Sequence, residues 1–275
     1  MVTARYRTCA NLRRMGCVPV DMRVRRLLES AYRRHATPDF VAHDPLQVPR
    51  SFAARGDAEV IGFLTATIAW GQRRTIVANA WRLVRLMDGA PGAFVDAASA
   101  RELARLAPFV HRTFNGGDLQ QFVRSLRHLR RTYGGIEEAF LDEGSVGDMG
   151  TAIARFKRRF FEPRHPARTR KHVADPSRGS NAKRINMFLR WMVRTSAEGV
   201  DLGLWTTIRP ADLMVPLDVH TGRTARALGL LTRSQDDWKS VVELTERLRQ
   251  LDPLDPVKYD LALFGLGIEG TLTAR

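Results

Sequence analysis

The sequence is poor in cysteine. Its 275 residues include two, Cys9 and Cys17, and both fall within the first twenty positions. Two cysteines so close together cannot build a disulfide framework, and they are too few for a four-cysteine zinc or iron–sulfur site. We therefore predict a protein with no metal and no other cofactor, located in the reducing cytoplasm.

Long apolar runs and common nucleotide-binding loops are also missing. No stretch of about 18 apolar residues occurs, and Met1–Arg7 lacks the apolar core of a secretory signal. We therefore expect a soluble protein without a membrane partner. Glycine-rich phosphate loops of the P-loop or dinucleotide type are absent, as is the zinc-protease pattern H-E-x-x-H, which excludes several large enzyme classes.

Acidic residues are scarce relative to basic ones. The chain has 44 Lys and Arg against 29 Asp and Glu, a formal net charge of +15 and a pI near 11.0. Such an excess favours a polyanionic partner, either nucleic acid or an acidic membrane surface, and charge alone does not choose between them. Residues 1–22 are rich in arginine, and we predict a basic flexible arm there.

Strand-like alternation is scarce, and we predict an all-α fold. Apolar residues recur at steps of three and four in several segments, which predicts helices over 57–70, 76–87, 182–194, 219–228, 236–250 and 259–266, with further helices in 100–142 broken at 115–117 and 134–135. Prolines predict loops around 44–49, 162–166 and 175–179. With 44% hydrophobic residues the chain can bury a substantial core.

Residues 155–190 are the most basic segment, with twelve Lys and Arg against two acidic residues. Within it, Ile185, Phe188, Leu189 and Met192 form an apolar stripe, whereas Lys183, Arg190 and Arg194 fall away from that stripe. This pattern predicts a helix with one packed face and one positive face.

A tight turn precedes that helix. Gly179, Ser180 and Asn181 lead into Ala182 and Lys183, so the unpaired amides of the first helical turn can be offered to a phosphate. Together with nearby cations such as Arg184 they predict an anion-binding cradle.

This turn resembles the signature of helix-hairpin-helix DNA glycosylases, in which G-x-G-x-K grips the DNA backbone and presents a catalytic lysine. Gly179 matches the first glycine and Lys183 the lysine. Asn181 stands at the second glycine, and we expect it to keep the turn because asparagine tolerates left-handed backbone angles.

A second segment strengthens the resemblance. Residues 215–223, Val-Pro-Leu-Asp-Val-His-Thr-Gly-Arg, resemble the family's Pro-Val-Asp-Thr-His-x-x-Arg segment, whose aspartate faces the lysine. The match assigns Asp218 as the partner of Lys183, and His220 and Arg223 as DNA-binding residues. The spacing of the pair is similar to that of the archaeal 8-oxoguanine DNA glycosylase branch.

The resemblance extends over roughly residues 40–270. Residues 64–75 resemble the glycosylase helix whose Gln- or Asn-bearing end enters the minor groove, which assigns Gln72 and Arg73 to DNA contact. The sequence is also similar to a bacterial family of DUF2400 type, related to these glycosylases. The resemblance implies that residues 23–275 form two interleaved helical subdomains flanking a central cleft, with 155–230 carrying the hairpin and the catalytic pair.

The resemblance implies a DNA glycosylase, with or without lyase activity, that excises a damaged base from duplex DNA. The candidate base is 8-oxoguanine. The protein is expected to act as a monomer associated with the nucleoid. A lysine attacks the sugar only as the neutral amine, so Lys183 requires a lowered pKa, which burial beside Arg184 would favour. Asp218 must stay ionised to stabilise the positive charge that develops on the sugar. The target base must also be flipped into a pocket.

Plainer interpretations exist for each residue. Asp218 directly precedes a helix, where aspartate stabilises the N-terminus by about 1 kcal/mol without any catalysis. Lys183 could serve as one phosphate contact among many. The alternative function is therefore a non-catalytic binder of DNA or structured RNA; a membrane-surface role ranks third. A lone His220 is more often a packing residue than a metal ligand, and most tryptophans belong to the core, with Trp205 the least determined.

Overall fold

The structure, a computed structural model, describes residues 19–195 and 199–270, which form helices joined by short connections. The all-α prediction is confirmed, because the only strands in these ranges are a small antiparallel hairpin, Val110–His111 (β1) and Phe114–Asn115 (β2). The helices are α1 (Met22–His35), α2 (Pro38–His43), α3 (Gln47–Arg50), α4 (Arg55–Thr67), α5 (Arg73–Leu86), α6 (Pro91–Ala97), α7 (Ala100–Ala104), α8 (Gly116–Tyr133), α9 (Met149–Phe160), α10 (Lys183–Val193), α11 (Val219–Ala227), α12 (Trp238–Arg249) and α13 (Tyr259–Glu269). Single 3₁₀ turns occur at Glu138–Phe140, Ala167–His172, Pro176–Arg178, Pro210–Asp212 and Pro256–Lys258.

Side-chain caps fix several helix ends. Asp218 and Asp237 cap α11 and α12, each accepting a hydrogen bond from the backbone amide three residues later. Two predicted breaks differ from the structure: Gln47–Arg50, at the end of the predicted loop 44–49, forms the short helix α3, and the residues at 115–117 begin helix α8 rather than break a helix. Asn115 and Asp118 form a reciprocal capping box there, a signal stronger than the two glycines beside it.

Helix α4 runs through the centre of the core and packs against α3, α5, α6 and α10. Every residue from Ala58 to Thr67 is buried. Phe63 contacts four other aromatic rings, with centroids 5.4 to 5.8 Å away, which belong to Phe122, Phe156, Phe160 and Phe188. Each such pair contributes about 0.5–1.5 kcal/mol beyond the burial of its area. This aromatic cluster therefore holds α10, the helix that begins with Lys183, firmly against the core.

The closing helix α13 lies between α11 and the N-terminal helix α1. It is buried over most of its length, as its apolar sequence predicts. A glycine allows the closest approach, because a Cβ atom on Gly265 would lie 2.1 Å from the His35 ring of α1. Helices from opposite ends of the chain thus pack together. Among the described residues, no helix combines the length and the apolarity that a membrane crossing requires.

Helix α10 departs from the predicted arrangement on its charged face. Arg190 and Arg194, expected on a positive face, are only 4% and 1% exposed. Arg190 pairs with Asp201 and Asp260, and Arg194 pairs with Asp201 and Asp255. We refer to these five residues as the buried ion cluster. A charge pattern on one helix cannot reveal whether its cations meet water or a layer of carboxylates from elsewhere in the chain.

Trp205 belongs to the core, although its loop position left it undetermined in the sequence. Its side chain is buried, and the indole Nε1 donates a hydrogen bond to Oε1 of Glu59 at 2.8 Å. The ring also contacts Phe140 and Phe188. A tryptophan held in this way cannot stack on an incoming base.

Candidate active site

The turn before α10 has the general shape that the sequence suggested but a different residue in its left-handed position. Asp175 caps the 3₁₀ turn Pro176–Arg178, and Gly179 follows with a φ of +84°. The second left-handed residue is Ala182, with a φ of +48°, whereas Asn181 keeps an ordinary negative φ, contrary to expectation. A non-glycine residue in this region costs on the order of 1 kcal/mol. The surrounding contacts must therefore impose the geometry.

Asn181 supplies those contacts. Its side-chain Nδ2 donates to the backbone carbonyl of Leu217 at 3.1 Å, and its Oδ1 accepts from the amide of Lys183 at 3.3 Å. Its own carbonyl accepts from Nδ2 of Asn186 at 3.3 Å. One side chain thus ties the beginning of α10 to the residue that precedes Asp218, which brings the two sequence segments side by side.

Lys183 and Asp218 meet as the sequence predicted. The Nζ atom of Lys183 lies 3.4 Å from Oδ2 of Asp218, and the two side chains are 34% and 15% exposed. The other carboxylate oxygen, Oδ1, accepts from the amide of Thr221 at 2.8 Å and so caps α11. Capping and pairing with the lysine are therefore compatible, because they use different oxygens of one carboxylate.

The pair lies in a cleft of about 280 Å³. The cleft has aromatic and aliphatic walls and several charged side chains; its lining consists of Phe40, Asp44, Pro45, Ala69, Trp70, Gly71, Arg73, Ile76, Lys183, Met187, Arg190, Pro216, Asp218, His220, Asp260, Leu261 and Phe264. Apolar walls with a few convergent polar groups are typical of sites that bind an organic ligand.

Two carboxylates of the cleft, those of Asp44 and Asp260, were not identified as site residues from the sequence. Burial raises the pKa of Asp260 to about 6 against the opposing effect of Arg190, whose Nη1 donates to its Oδ2. Burial also raises the pKa of Asp44, whose Oδ1 accepts from the amide of Leu46 at 2.9 Å. An aspartate inside the apolar run 259–266 was the available signal for Asp260, since unpaired charges are rarely buried.

Phe264 joins three other residues of the cleft. The guanidinium of Arg73 lies 5.5 Å from the centre of its ring, and the rings of His220 and Phe40 approach it edge-on at 5.9 and 6.2 Å. Arg73 and His220, predicted as DNA-binding residues, are therefore both part of the cleft wall. Their positions beside an aromatic ring suit contact with a ligand inside the cleft.

The rim of the cleft carries Gln72 and an arginine that the sequence analysis missed. Gln72 is exposed at the start of α5, next to Gly71 and Arg73 of the cleft lining. Arg112, at the tip of the β1–β2 hairpin, has a left-handed φ of +54° and is exposed. Its guanidinium lies against Gly71, where a Cβ atom would be only 2.7 Å from its Nε. The hairpin tip and Gln72, which is predicted to enter the minor groove, thus lie on the same rim of the cleft.

Trp70 and Arg184 connect the rim to the core. Trp70 lines the cleft, and the buried His111 of β1 holds it through a ring nitrogen 3.1 Å from the Trp70 carbonyl oxygen. Arg184 lies over the Trp70 ring at 4.8 Å and donates to the carbonyl of Thr67. Burial lowers the pKa of Arg184 to about 10. This guanidinium therefore packs against protein groups, and it lies outside the lining that surrounds Lys183.

The remaining predicted DNA-binding residues lie on the outside of the molecule. Gly179 and Ser180 are exposed in the turn, where the Gly179 carbonyl accepts from the amide of Trp238 at 3.2 Å. Arg223 is exposed on α11 and has no hydrogen-bond or ion-pair partner within the described residues. An unpaired surface cation on the helix capped by Asp218 is suitably placed for a phosphate.

The basic segment 155–190 presents less positive surface than its charge suggests. Eight of its twelve cations bind groups of the protein itself: Arg155, Lys157, Arg159, Arg168, Arg170, Lys183, Arg184 and Arg190. Arg159, for example, donates to three backbone carbonyls. Much of this charge therefore stabilises loops, and the segment that the sequence marks as the most basic exposes only part of its positive charge.

Within residues 19–195 and 199–270, no three histidine, cysteine, aspartate or glutamate side chains are grouped so that they could hold a metal ion. The lining of the cleft contains one amine, on Lys183, and three carboxylates, on Asp44, Asp218 and Asp260, which are groups that act in acid–base and nucleophilic chemistry. Cys9 falls outside the described residues, as do Cys17 and most of the predicted N-terminal arm.

Comparisons with known proteins bear on the family. No curated protein and no solved structure is significantly similar to this chain. A family model does match, over residues 44–269, a range that includes the cleft residues from Asp44 to Phe264. Because the match covers most of the sequence, the chain belongs to the family described as "Protein of unknown function (DUF2400)".

Proposed function

We propose that this protein is a DNA glycosylase that excises a damaged base, with 8-oxoguanine as the first candidate, through a covalent intermediate on Lys183. The observation that carries the proposal is the 3.4 Å separation of Lys183 Nζ and Asp218 Oδ2 inside an aromatic-walled cleft. An amine and a carboxylate beside a cavity match what cleavage of an N-glycosidic bond needs, a nucleophile and a counter-charge for the sugar.

The chemistry assigns one task to each member of the pair. The neutral amine of Lys183 forms a bond to C1′ of the sugar as the bond between C1′ and the base breaks, and the electron pair leaves with the base. The carboxylate of Asp218 stabilises the positive charge that builds up on the sugar during this exchange. Loss of a proton from the new ammonium and opening of the sugar ring then give a Schiff base, with O4′ taking up a proton.

The walls of the cleft suit an extruded base. Trp70 and Phe264 contribute aromatic surface to the lining, and Asp44 and Asp260 offer acceptors to N–H groups on the base edge. The cleft contains charged side chains of both signs, so it can accept a neutral base as well as a cationic one. A base with several N–H donors, as in 8-oxoguanine, uses these acceptors best.

The outside of the cleft suits a nucleic-acid backbone. The exposed turn at Gly179 and Ser180 precedes the N-terminus of α10, and helix N-termini favour phosphate. Arg112, against Gly71 of the cleft lining, and Arg223, on the helix that Asp218 caps, add exposed cations. Gln72 is positioned on the rim to enter the duplex when a base leaves the stack.

Borohydride trapping tests this function directly. Duplexes with oxidised, deaminated or alkylated bases are incubated with the protein and borohydride, which reduces a Schiff base to a permanent adduct. We expect an adduct with at least one lesion and none with Lys183→Ala. Lys239→Ala is the matched control, because Lys239 is exposed on α12 and has no part in the cleft.

A complete panel without an adduct would contradict the proposal. Salt-dependent DNA or RNA binding that survives both Lys183→Ala and Asp218→Asn would then favour the alternative function, a non-catalytic nucleic-acid binder. In that case the pair serves to fix the turn before α10 and to cap α11, roles for which its geometry is also sufficient.

A further inference from the structure

The proposed reaction leaves one proton without a destination. Lys183 faces a carboxylate, so the ammonium form must give up a proton before attack, and the departing base must gain one. Asp218 is a poor intermediary for either transfer. Its negative charge is required on the sugar during bond cleavage, so Asp218 cannot hold the proton of Lys183 at that moment.

A second carboxylate occupies the same cleft. Asp260 is 6% exposed and is held by two donors: Nη1 of Arg190 to its Oδ2, and Oγ1 of Thr221 to its Oδ1 at 3.3 Å. Thr221 therefore contacts both aspartates, with its amide on Asp218 and its hydroxyl on Asp260. Asp260 is thus fixed in orientation next to the reacting pair, although it lies beyond ion-pair distance of Lys183.

We infer that Asp260 accepts the proton that Lys183 loses and returns it to the departing base. This inference rests on the proposed function and extends it by one group. A water molecule in the cleft carries the proton from Nζ of Lys183 to the Asp260 carboxylate, leaving a neutral amine and a neutral carboxylic acid. After the amine has bonded to C1′ and the base has left with the electron pair, the acid protonates the base and is ionised again.

The environment of Asp260 suits a reversible acceptor. Burial and the negative charge of Asp218 favour the protonated form, whereas Arg190 and Lys183 favour the ionised form, and the balance gives a pKa of about 6. Other ionisable groups near this part of α13 are Asp44, Arg73 and His220 of the cleft, Asp201 behind Arg190, and His35 of α1. A titration near neutrality therefore has to be assigned by substitution.

Single-turnover excision at saturating protein, measured from pH 5 to 8, tests the inference. In the wild type the rate should fall as the pH drops through about 6, because a protonated Asp260 cannot accept. Asp260→Asn should lose this acid limb and, at pH 7.5, about 100-fold of the rate. Asp44→Asn makes the same change at another aspartate of the cleft, one proposed to bind the base, so its rate should fall as well but the acid limb should remain. The limb should also remain in His220→Gln and His35→Gln.

Thr221→Val provides an independent variant that leaves the charge in place. It removes a hydrogen bond to the ionised form of Asp260, so the acid limb should shift to higher pH. If Asp260→Asn does not fold, the shift of the acid limb in Thr221→Val tests the role of Asp260 by itself. An unchanged limb in either variant, or a loss confined to DNA affinity, overturns the role of Asp260 while leaving Lys183 chemistry intact. A wild type without any excision ends both proposals.

Discussion

The two ends of helix α10 carry cations in opposite environments. At its N-terminus, Lys183 is one-third exposed and has a single carboxylate partner at the mouth of a cleft. At its C-terminal end, Arg190 and Arg194 are buried in the ion cluster, where every guanidinium has at least two carboxylate partners. One helix thus bears an accessible cation and a fully engaged pair, separated by two turns.

The contrast separates groups that hold the fold from groups that are free to react. Removing one partner from a buried ion pair leaves an uncompensated charge, which costs about 3–5 kcal/mol, whereas a half-exposed pair contributes about 0–1 kcal/mol. Asp260 belongs to both environments, since it binds Arg190 and also lines the cleft. The predictions below probe this contrast from its largest expected effect to its smallest.

Replacing a buried cation should cost the most. Arg194→Met leaves Asp255 without a guanidinium and Asp201 with Arg190 alone, and we expect the free energy of unfolding to fall by about 3–5 kcal/mol. Lys183→Met should cost at most about 1 kcal/mol. Urea denaturation of both variants measures the difference. Equal losses would show that the two ends of α10 do not differ as described.

The dependence of the free energy of unfolding on pH should show the titration of Asp260. Its pKa rises from an ordinary 3.8 to about 6 on folding, so the native state binds the extra proton between these values. The associated stability is complete below about pH 3.8 and is lost as the pH rises through about 6. Wild type should therefore lose on the order of 3 kcal/mol relative to Asp260→Asn across this window. If the free energy of unfolding changed with pH in the same way in both proteins, the raised pKa of Asp260 would be contradicted.

Substitutions at Asp218 should separate capping from chemistry. Asp218→Ala removes the cap of α11 and should lower the free energy of unfolding by about 1 kcal/mol, whereas Asp218→Asn keeps a capping oxygen and should cost a few tenths. Both should reduce borohydride trapping by about 100-fold, because both remove the charge beside Lys183. An Asn variant that traps DNA at the wild-type level would reduce Asp218 to a structural cap.

The smallest effect on stability is expected at the rim. Arg112→Ala should change the free energy of unfolding by less than about 0.5 kcal/mol, because its side chain is exposed. If the rim touches DNA, the slope of binding affinity against salt should decrease by about 1. Arg101→Ala, an exposed arginine of α7, is the control and should leave the slope unchanged. Identical slopes for both variants would remove the hairpin from the proposed interface.

Much of the fold could be predicted from sequence because its signals are local. Apolar spacing located the main helices. Asp218, directly before a helical pattern, marked the start of α11, where its carboxylate accepts from the Thr221 amide. Lys183 and Asp218 could be paired in advance because each belongs to a recognisable segment. The contact that joins those segments, Asn181 to the Leu217 carbonyl, was invisible, since it depends on how two loops approach each other.

The rest of the cleft could not be predicted for the same reason. Asp44 follows a short helix and Asp260 opens a buried one, and neither position has a local pattern that indicates a shared cavity. The cations of residues 155–190 were overestimated as a surface because a charge count does not see the carbonyls and carboxylates that bind them. Long-range partners decide both questions, and composition does not contain them.

The packing of α13 against α1 has a consequence for synthesis on the ribosome. The ribosome makes α1 long before α13, so Asp260, Phe264 and the surface that covers α1 are still missing when the rest of the cleft has been made. The nascent chain therefore carries an open half-cleft and an uncovered α1 until α13 has been added. Contacts between such distant segments slow folding, so the docking of α13 should be the step that closes the cleft.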